Sequence, residues 1–403
     1  MVDTLARPDA ALATVRLVPG HGKRVRAGHP WVFSNEVAMD AAAKAIAPGA
    51  AVRLVDANGG FVAVCAFNPH SLIAARVLAR EDGTAIDRAF LVRRLERALA
   101  LRERLYREPF YRLVHAEADG LPGLVVDRFG RTAVVEANSA GMERLTAELI
   151  AALQSVIDAR IVVLRNDNAV RRLEGLPLET RIALGALEGP IALTENGARF
   201  FADPIAGQKT GWFYDQRENR ARVASLASGG RVLDLYAYAG GFGVLAAVQG
   251  AAEIVCVDRS QPALDLAARA AAANNVAERC TFRRGEAFET LENLANRGET
   301  FDVVIADPPA FVRTKKDLGA GLRGYRKLMR LAAGRVAPGG FLFAASCSFH
   351  VTPEAFADAL ARALGDAGRE GRVIATGGAG PDHPAHPHLP ETAYLKTALV
   401  ALD

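Results

Sequence analysis

The chain has 403 residues, of which half are apolar and 23% are charged, so it can bury two or three hydrophobic cores and has the composition of a soluble globular protein. The formal net charge is only +4, and no apolar run approaches the roughly 20 residues of a membrane-spanning helix, which argues against a transmembrane protein. The four cysteines form no CxxC pair, which argues against a structural zinc site or a disulfide scaffold and favours reduced thiols in the cytoplasm.

The N-terminal segment, residues 1–78, is predicted to form an all-β domain. It shows no signal peptide, because Asp3 and Asp9 interrupt its start and no continuous apolar core follows. Its β-rich runs, which are separated by turn residues, are residues 14–17, 51–55 and 61–67. Residues 1–80 contain nine Lys or Arg and five Asp or Glu, so they carry a net charge equal to that of the whole chain. This basic balance suggests a polyanionic partner.

The basic stretch of this segment lies beside aromatic residues. Lys23, Arg24 and Arg26 precede Trp31 and Phe33. Cations next to aromatic rings can bind phosphates and stack on bases, which predicts an RNA contact. The alternative is a solvated loop followed by a strand with a buried Trp, and this segment by itself favours the alternative.

The middle segment, residues 79–190, is predicted to be a separate α+β module. Apolar periodicity predicts a helix at about residues 86–106, with arginines opposite the apolar stripe. A β-meander through residue 137, a helix at 143–157 and a strand at 161–164 are expected to follow.

From about Arg231 strand-like and helical runs alternate, which predicts a doubly wound parallel sheet. The predicted strands are residues 231–235, 253–257, 280–283, 301–306 and 341–346. The predicted helices are residues 243–248, 261–274, 288–295, 324–335 and 353–364. In such a sheet ligands bind beyond the carboxyl ends of the strands.

Several polar and small residues follow these strands. Asp234 and Gly240-Gly241 close the first strand and enter a helix, where the backbone can approach a ligand closely and offer free N–H groups. The dinucleotide pattern G-x-G-x-x-G is absent. Asp258 ends the second strand, where a carboxylate can accept both hydroxyls of a ribose; serving as the N-cap of the next helix is its alternative role. Glu286, after the third strand, could accept from an adenine amine.

These residues, together with Asp307-Pro308-Pro309 at the fourth strand, resemble class I S-adenosylmethionine-dependent methyltransferases. More narrowly, the chain resembles the ribosomal RNA cytosine-5 methyltransferases that carry a PUA domain, and the likeness covers nearly the whole chain. The closest stretches are residues 28–33 (GHPWVF), 117–130 (EADGLPGLVVDRFG), 208–217 (QKTGWFYDQR) and 307–311 (DPPAF) with the downstream SCS.

This resemblance implies an α/β fold of three parts: a PUA-like RNA-binding domain at residues 1–78, an α+β domain at 79–190 and a Rossmann-like methyltransferase domain at 191–403. It implies S-adenosylmethionine as cofactor and large-subunit (23S) ribosomal RNA as partner, and it strengthens the RNA-binding interpretation of residues 21–33. The implied cofactor contacts are Asp234, Tyr236, Gly240, Gly241, Phe242, Asp258, Glu286, Asp307, Pro308, Gln216 and Arg217. The oligomeric state stays open between a monomer and a homodimer.

The stretch at residues 208–217 precedes the first Rossmann strand. The resemblance places it beside the cofactor, so Asp215 joins Gln216 and Arg217 as an expected contact. The alternative is a capping loop in which Arg217 and Glu218 pair locally.

Cytosine C5 is a poor nucleophile, and attack of a thiolate on C6 makes it reactive toward a methyl donor. Cys347 ends the fifth predicted strand, on the cofactor edge of the sheet, and we predict that it is this nucleophile. Cys256 and Cys280 lie within strands and have the character of small core residues. The resemblance implies that Asp307 holds the pyrimidine edge, either protonated or sharing a proton with N3.

The base that removes the C5 proton is not assigned by the sequence. Many RNA cytosine-5 methyltransferases carry a second Cys in the fourth-strand motif, but this chain has Pro309-Ala310 there, which matches a single-Cys branch. His350 could act as the base, although a structural role is favoured.

A basic run follows the fourth-strand motif at Arg313, Lys315 and Lys316. These cations could grip RNA around a flipped base, or they could form a solvated loop, and the sequence supports both equally. The histidines near the C-terminus are interleaved with prolines in a loop, so we predict no metal site.

Two other functions compete. Asp-Pro-Pro followed by an aromatic residue is typical of exocyclic-amine methylation at N2 of guanine or N6 of adenine, in which Cys347 would be structural. Here Ala310 follows the prolines and Phe311 comes one position later, which weakens that interpretation. A non-catalytic RNA-binding assembly factor is the third candidate, and the intact set of site residues argues against it.

Overall fold

A computed structural model describes residues 12–403, so Asp3 and Asp9, on which the expectation of no signal peptide depends, lie outside the described residues. The chain forms two compact units. The first contains the described residues up to Leu187 together with Pro384–Pro390, and the second contains Glu188–His383 and Glu391–Asp403. No helix in the described part of the chain combines the length and apolarity needed to cross a membrane.

The first unit begins with a five-stranded sheet around its own apolar core. Its strands are β1 (Ala13–Arg16), β2 (Trp31–Val32), β3 (Ala50–Val55), β4 (Phe61–Phe67) and β5 (Ala75–Ala79), in the order β1-β3-β4-β5-β2. Two single-turn helices accompany them, α1 (Lys23–Arg26) and α2 (Ala41–Lys44). The basic run at residues 23–26 is therefore a helical turn rather than the loop considered from sequence.

A second five-stranded sheet completes the first unit. Its elements are α3 (Arg88–Leu105), β6 (Phe110–His115), β7 (Leu124–Phe129), β8 (Thr132–Ala137), α4 (Ala140–Arg144), α5 (Thr146–Ile157), β9 (Ile161–Asn166) and β10 (Glu179–Leu184). The strand order is β10-β9-β8-β7-β6, and only the pair of β8 with β9 is parallel within this sheet. Two helices replace the single one predicted at 143–157, and β10 was not predicted.

A buried ionic network joins the two sheets of this unit. The Arg76 guanidinium lies 3.1 Å from Glu117 Oε1 and 3.0 Å from Glu174 Oε1. The Glu174 carboxylate also accepts hydrogen bonds from Asn68 and Ser71. Because a buried charge is costly without partners, this network ties β5 of the first sheet to the second sheet.

The second unit is built on a seven-stranded sheet. A hairpin comes first, β11 (Ile191–Glu195) with β12 (Ala198–Ala202), followed by α6 (Arg217–Ala224). The sheet strands are β13 (Arg231–Leu235), β14 (Glu253–Asp258), β15 (Cys280–Arg284), β16 (Phe301–Ala306), β17 (Val336–Ser346), β18 (Gly371–Gly377) and β19 (Lys396–Leu402). The helices between them are α7 (Gly241–Val248), α8 (Gln261–Ala273), α9 (Ala287–Asn296), α10 (Leu318–Ala333) and α11 (Pro353–Asp366).

The order β15-β14-β13-β16-β17-β19-β18 reverses direction between β13 and β16. Strands β13 to β17 are parallel, as predicted, so their carboxyl ends share one edge, and a ligand crevice is expected where the order reverses. Two further strands that were not predicted, β18 and β19, extend the sheet, and β19 runs antiparallel to both β17 and β18. Leu233 and Val304 pack with Leu291, Leu328 and Leu360 of α9, α10 and α11 in one buried cluster.

Candidate active site

A cavity of about 670 Å³ lies at the carboxyl edge of the parallel strands. Its walls come from residues that precede α6, from the ends of β13, β14, β15 and β16, and from Cys347 after β17. The position agrees with the sheet rule, because β13 and β16 flank the point at which the strand order reverses.

Asp234 supports the loop that connects β13 to α7. This carboxylate is buried and accepts a 2.8 Å hydrogen bond from the backbone N–H of Gly243 in the first turn of α7. Burial raises the pKa of Asp234 to about 7. Asp234 does not line the cavity, whereas Tyr236 and Phe242 of the same loop do.

Two glycines of this loop are required by close packing. Gly240 has a left-handed φ of 76°, and a Cβ there would lie 2.8 Å from the Cβ of Ala267 in α8. A Cβ on Gly241 would lie 2.5 Å from Nε of Arg220. Side chains at these positions would therefore displace α8 or Arg220. Of the two, Gly241 lines the cavity.

Asp258 presents its carboxylate to the cavity from the end of β14. Its oxygens accept hydrogen bonds from the backbone N–H groups of Tyr238 (2.9 Å) and Ser260 (2.8 Å). A carboxylate has further acceptor capacity, so both oxygens can still receive hydroxyl donors. The N-cap of α8 is Ser260, whose hydroxyl accepts from Ala263, so the capping role that sequence left open for Asp258 belongs to its neighbour.

Glu286 lies outside the cavity lining, although Gly285 and Ala287 on either side belong to it. Its carboxylate is 3.6 Å from the Arg259 guanidinium, and the side chain is 58% exposed. A hydrogen bond from an adenine amine to Glu286 would require this carboxylate to turn inward, so its predicted contact stays a prediction.

The residues at 208–217 form one wall of the cavity. Gln216 lines it and donates a 2.9 Å hydrogen bond from Nε2 to Oδ2 of Asp307. Arg217 is buried outside the lining, with Nε 3.5 Å from Oε2 of Glu195 in β11, rather than paired with Glu218. Arg220 lies 2.6 Å from the other oxygen of Glu195. The wall is therefore anchored to the β11–β12 hairpin.

Asp307 and Pro308 line the cavity directly after β16. Burial, together with the negative charge of Asp215, raises the pKa of Asp307 to about 7, against the lowering effects of Arg220, Lys209 and the hydrogen bond from Gln216. A carboxyl group with a pKa near neutrality is protonated in a large fraction of molecules, and it can then donate a hydrogen bond.

Cys347 is the cysteine that faces the cavity within residues 12–403. Burial raises the pKa of its thiol, Lys209 lowers it, and the charges of Asp307 and Asp215 raise it. Burial raises the pKa of Cys65 to about 12 and of Cys280 to about 11, and it raises that of Cys256 well above the ordinary thiol range. None of these three thiols lines the cavity. Cys256 is buried, as expected of a core residue, whereas Cys280 is only partly buried because β15 is an edge strand, so the core role expected for it is wrong.

The serines on either side of Cys347 connect it to the loop after β16. The Ser348 hydroxyl accepts from the backbone N–H of Val312 (3.1 Å) and lies 2.8 Å from the Tyr325 hydroxyl. The backbone N–H of Ser348 also donates to the hydroxyl of Ser346. These buried bonds fix the strand end that carries the thiol against the Asp307 loop.

Several cavity residues had no role in the sequence-based prediction. Lys209 and Arg220 line the wall formed by residues 208–220, and Leu395 lines it from the segment before β19. The QKTGWFYDQR stretch was a signal that could have led to Lys209. Leu395 and its neighbour Tyr394 belong to no motif, so only the folded chain brings them to this site.

Three of the four predicted RNA contacts in the first unit have internal partners. Arg24 lies 2.8 Å from Glu36, and Arg26 forms an ion pair with Asp56. The indole N–H of Trp31 donates a 2.7 Å hydrogen bond to Oε1 of Glu117. The Arg76 guanidinium lies 5.8 Å from the centroid of the Trp31 ring. These contacts support the alternative of a partly buried Trp strand for this stretch.

Four predicted RNA contacts are exposed without a side-chain partner. Lys23 in the first unit, and Arg313, Lys315 and Lys316 in the second, are exposed and have no side-chain hydrogen bond or ion pair to any other described residue. Among residues 12–403, no group of three or more His, Cys, Asp or Glu side chains is placed to hold a metal ion. His350 packs beside Phe349 and does not line the cavity.

Two family models match the chain. Residues 115–373 match the model described as S-adenosylmethionine-dependent methyltransferase, and residues 15–80 match the model of the PUA-like domain. The expected fold class, a PUA-like domain followed by a Rossmann-like methyltransferase domain, is confirmed.

Curated relatives match over almost their full length. Ribosomal RNA large subunit methyltransferase I of Erwinia tasmaniensis is 39% identical over 394 residues, which is 95% of this chain and 98% of that protein. The protein of the same name from Escherichia coli is 37% identical over 390 residues, again 95% of this chain and 98% of the relative.

Solved structures share the fold. A structure from Streptococcus mutans, assigned to the SAM-dependent methyltransferases, is 18% identical with a TM-score of 0.79 and covers 97% of this chain and 100% of its own. A second methyltransferase structure, solved as a complex with SAH, is 18% identical, has a TM-score of 0.80 and covers the same shares.

Proposed function

The chain belongs to the S-adenosylmethionine-dependent methyltransferase family, alongside the ribosomal RNA large subunit methyltransferase I proteins, and from that premise we propose that it methylates C5 of a cytosine in large-subunit ribosomal RNA. One observation carries the choice of C5: the Cys347 thiol and the Asp307 carboxyl line the same cavity. The names of the relatives support ribosomal RNA as the substrate class.

The cavity fits the family's cofactor. Asp258 offers a carboxylate with spare acceptor capacity at the end of β14, which suits the two hydroxyls of a ribose. Tyr236 and Phe242 supply aromatic surface on the β13 side, and Gly241 keeps side-chain atoms out of the loop between them. When bound there, S-adenosylmethionine supplies an electrophilic methyl group attached to a sulfonium.

Asp307 is suited to hold the pyrimidine. Its pKa of about 7 leaves the carboxyl protonated in much of the population at neutral pH, so it can donate a hydrogen bond to N3 of a cytosine. Gln216 fixes one carboxyl oxygen at 2.9 Å. A proton shared with N3 withdraws electrons from the ring and favours attack at C6.

Cys347 is suited to form the covalent adduct. Its thiolate adds to C6 of the cytosine, the Sγ–C6 bond forms, and the displaced π electrons make C5 nucleophilic. After C5 has gained its methyl group, the C5 proton leaves, the Sγ–C6 bond breaks, and the aromatic ring is restored. His350 lies away from the cavity lining, which supports a structural role for it rather than that of the base.

The runner-up, methylation of an exocyclic amine, receives no support from the aromatic residue of its motif. Phe311 packs on Tyr325, with ring centroids 4.7 Å apart, and on Phe288 at 6.3 Å. It does not line the cavity, so it offers no stacking surface to a purine there. Amine methylation needs such a surface and needs no thiol.

The test is nucleoside mass spectrometry of unmodified ribosomal RNA incubated with S-adenosylmethionine and either wild type or Cys347→Ala. New 5-methylcytidine from the wild type alone supports the proposal. Cys280→Ala is the matched control, because that thiol is outside the cavity and should not be needed. An N-methylated purine formed equally by both proteins would replace the C5 mechanism with the runner-up.

A third outcome concerns the assembly-factor interpretation. If neither the wild type nor Cys347→Ala modifies RNA, and calorimetry detects no binding of S-adenosylmethionine, the chain is a non-catalytic RNA-binding protein. Binding of the cofactor without methylation of naked RNA would instead direct the same assay to ribosome assembly intermediates.

A further inference from the structure

We propose that Lys209 is a positioning residue whose ammonium increases the thiolate fraction of the Cys347 side chain, and that Asp215, which pairs with Lys209, opposes that effect. The inference rests on the proposed role of Cys347 as nucleophile, but it concerns the charge state of the thiol, which can be measured without RNA or cofactor. No motif or family match assigns a role to Lys209.

The Lys209 ammonium is held at one place. Its Nζ lies 3.3 Å from Oδ2 of Asp215 and 4.3 Å from the centroid of the Phe213 ring. The same Asp215 oxygen accepts a 2.5 Å hydrogen bond from the Tyr394 hydroxyl. An ion pair and an aromatic face together restrict a side chain that would otherwise sample many rotamers.

The backbone of Lys209 is also unusual. Its φ of 48° lies in the left-handed region, which is sparsely populated by residues other than glycine. Such conformations persist where surrounding contacts over-determine them, and they concentrate at functional sites. A hydrogen bond from the preceding residue supports this segment, because the Gln208 N–H donates to the Tyr238 hydroxyl at 3.1 Å. The segment therefore directs Lys209 into the cavity wall rather than away from it.

The charges that face Cys347 come from every element around it. From the wall at 208–217, Lys209 lowers the pKa of the thiol and Asp215 raises it, and from the loop after β16 Asp307 also raises it, in addition to the larger effect of burial. From β19, Lys396 interacts electrostatically with Cys347. From α10, the Tyr325 hydroxyl also interacts electrostatically with Cys347.

The cationic groups of Lys396 and Arg220 have partners other than the thiol. The Lys396 ammonium donates to the backbone carbonyls of Ser348 (2.6 Å) and Tyr394 (2.7 Å), and burial lowers its pKa. Arg220 lies 2.6 Å from Glu195 and acts on Asp307 rather than on the thiol. From the wall at 208–217, Lys209 is the cation that opposes the two carboxylates and burial at Cys347.

This balance predicts opposite effects from two substitutions that break the same ion pair. Lys209→Gln removes the opposing cation, so the pKa of Cys347 rises and less thiolate forms near neutral pH. Asp215→Asn removes an anion, so the pKa of Cys347 falls and more thiolate forms. A purely structural role for the Lys209–Asp215 pair would move the thiol in the same direction in both variants.

The experiment measures the rate at which iodoacetamide alkylates Cys347 in the full-length protein across about pH 6 to pH 10, a range that brackets the ordinary thiol pKa. The thiolate forms an S–C bond and iodide leaves, so the rate follows the thiolate fraction. Peptide mass spectrometry reports Cys347 and Cys280 separately. Cys280, outside the cavity, serves as the internal reference for a folded chain.

We expect alkylation of Cys347 in Lys209→Gln to be slowed roughly tenfold near neutral pH, with the profile displaced to higher pH, and Lys209→Arg to restore it. Asp215→Asn should displace the profile to lower pH. Lys327→Gln is the matched control: its Nζ lies 3.2 Å from Glu292 and 5.1 Å from the Phe288 ring, away from the cavity. It should leave the profile unchanged.

Unchanged profiles in both cavity variants, or displacement in the same direction, would overturn the inference. If iodoacetamide alkylates Cys280 faster in Lys209→Gln than in wild type, that variant has unfolded locally. The profiles of Lys209→Arg and Asp215→Asn then decide the question. If the profiles move as expected while no 5-methylcytidine is formed, the proposed function fails and the electrostatic role of Lys209 stands.

Discussion

The Nε2 amide of Gln216 donates a 2.9 Å hydrogen bond to Oδ2 of Asp307, a residue 91 positions further along the chain. Gln216 is buried beside α6, and its Oε1 accepts a 2.7 Å hydrogen bond from Asn219 in the same helix. This pair of bonds connects the QKTGWFYDQR wall to the Asp-Pro-Pro loop. The orientation of the carboxyl group in the cavity therefore depends on a side chain from a different part of the sequence.

Gln216→Leu should lower kcat about fivefold, since one buried hydrogen bond contributes about 1 kcal/mol and that energy corresponds to roughly a fivefold change in rate. The loss has a second consequence, because the bond stabilises the carboxylate and its removal raises the pKa of Asp307. Steady-state kinetics at several pH values measures both effects. Gln261→Leu, an exposed glutamine bonded to Asp265, is the control and should retain wild-type rates.

Asp307→Asn should change the shape of the pH–rate profile. The pKa of Asp307 is about 7, so its protonated fraction falls as the pH rises. The pKa of Cys347 is raised above the ordinary value, so its thiolate fraction grows over the same range. In wild type the two trends compensate above about pH 7, so the rate reaches a plateau. Asparagine donates a hydrogen bond at every pH, so the rate of the variant should keep rising through that range. A plateau at the same pH in both proteins would contradict the role of Asp307 as a titrating donor.

Asp258→Ala should weaken binding of S-adenosylmethionine by roughly 10- to 100-fold, because hydrogen bonds to a charged group contribute about 1.5–3 kcal/mol. Isothermal titration calorimetry measures the dissociation constant directly. Asp265→Ala removes an exposed carboxylate from α8 and should leave it unchanged. Equal affinity in wild type and Asp258→Ala would exclude the ribose contact.

Replacing Lys315 and Lys316 together with alanine should weaken RNA binding and reduce its salt dependence. Both side chains are exposed and have no ion-pair partner among the described residues. Each phosphate contact contributes a slope of about 0.7 to 0.9 in log K against log salt concentration, so the slope should fall by roughly one to two. Fluorescence anisotropy at several salt concentrations measures it. Lys44→Ala, exposed on α2, is the comparison, and an unchanged slope in the double variant would indicate a solvated loop.

Glu174→Ala should destabilise the first unit by about 3–5 kcal/mol, because it leaves the Arg76 guanidinium buried with one partner fewer. Urea denaturation measures the free energy of unfolding. The folded-state pKa of Glu174 is lowered, against burial, by Arg76 and the hydrogen bonds of Asn68 and Ser71. The contribution of Glu174 to the free energy of unfolding is therefore fully present above its unfolded pKa of about 4.3. It is lost as the pH falls through the lower pKa of the folded state.

The control for that measurement is Glu179→Ala, which removes an exposed ion pair with Arg181 and should cost less than about 1 kcal/mol. The difference in stability between wild type and Glu174→Gln should shrink at acid pH. A constant difference down to the lowest pH at which the protein folds would show that packing, rather than charge, accounts for the effect.

Periodicity was sufficient for the parallel strands of the second unit, because β13 and β16 are buried apolar runs bounded by turn residues. It failed for β18, whose side chains are mostly exposed and whose pattern resembles a loop. The sheet rule located Asp258, Asp307 and Cys347 at one edge, since every parallel strand ends there. It could not distinguish Asp234, which faces α7, from residues that face the cavity, because that depends on the exact bend of the loop.

Local residue patterns by themselves determined the parallel α/β character of the second unit and the strand-end positions of Asp258, Asp307 and Cys347, because these depend on apolar runs and turns that short segments specify. The PUA-like and methyltransferase domains were expected from the resemblance of longer stretches to a known family. Only the tertiary structure decided which charges meet. The pairing of Arg26 with Asp56, of Arg217 with Glu195, and of Lys209 with Asp215 beside Tyr394 requires long-range packing that no local pattern encodes. The electrostatic environment of Cys347 likewise combines burial with Lys209 and Asp215 from the wall at 208–217 and Asp307 from the loop after β16, and only the folded chain brings these groups together.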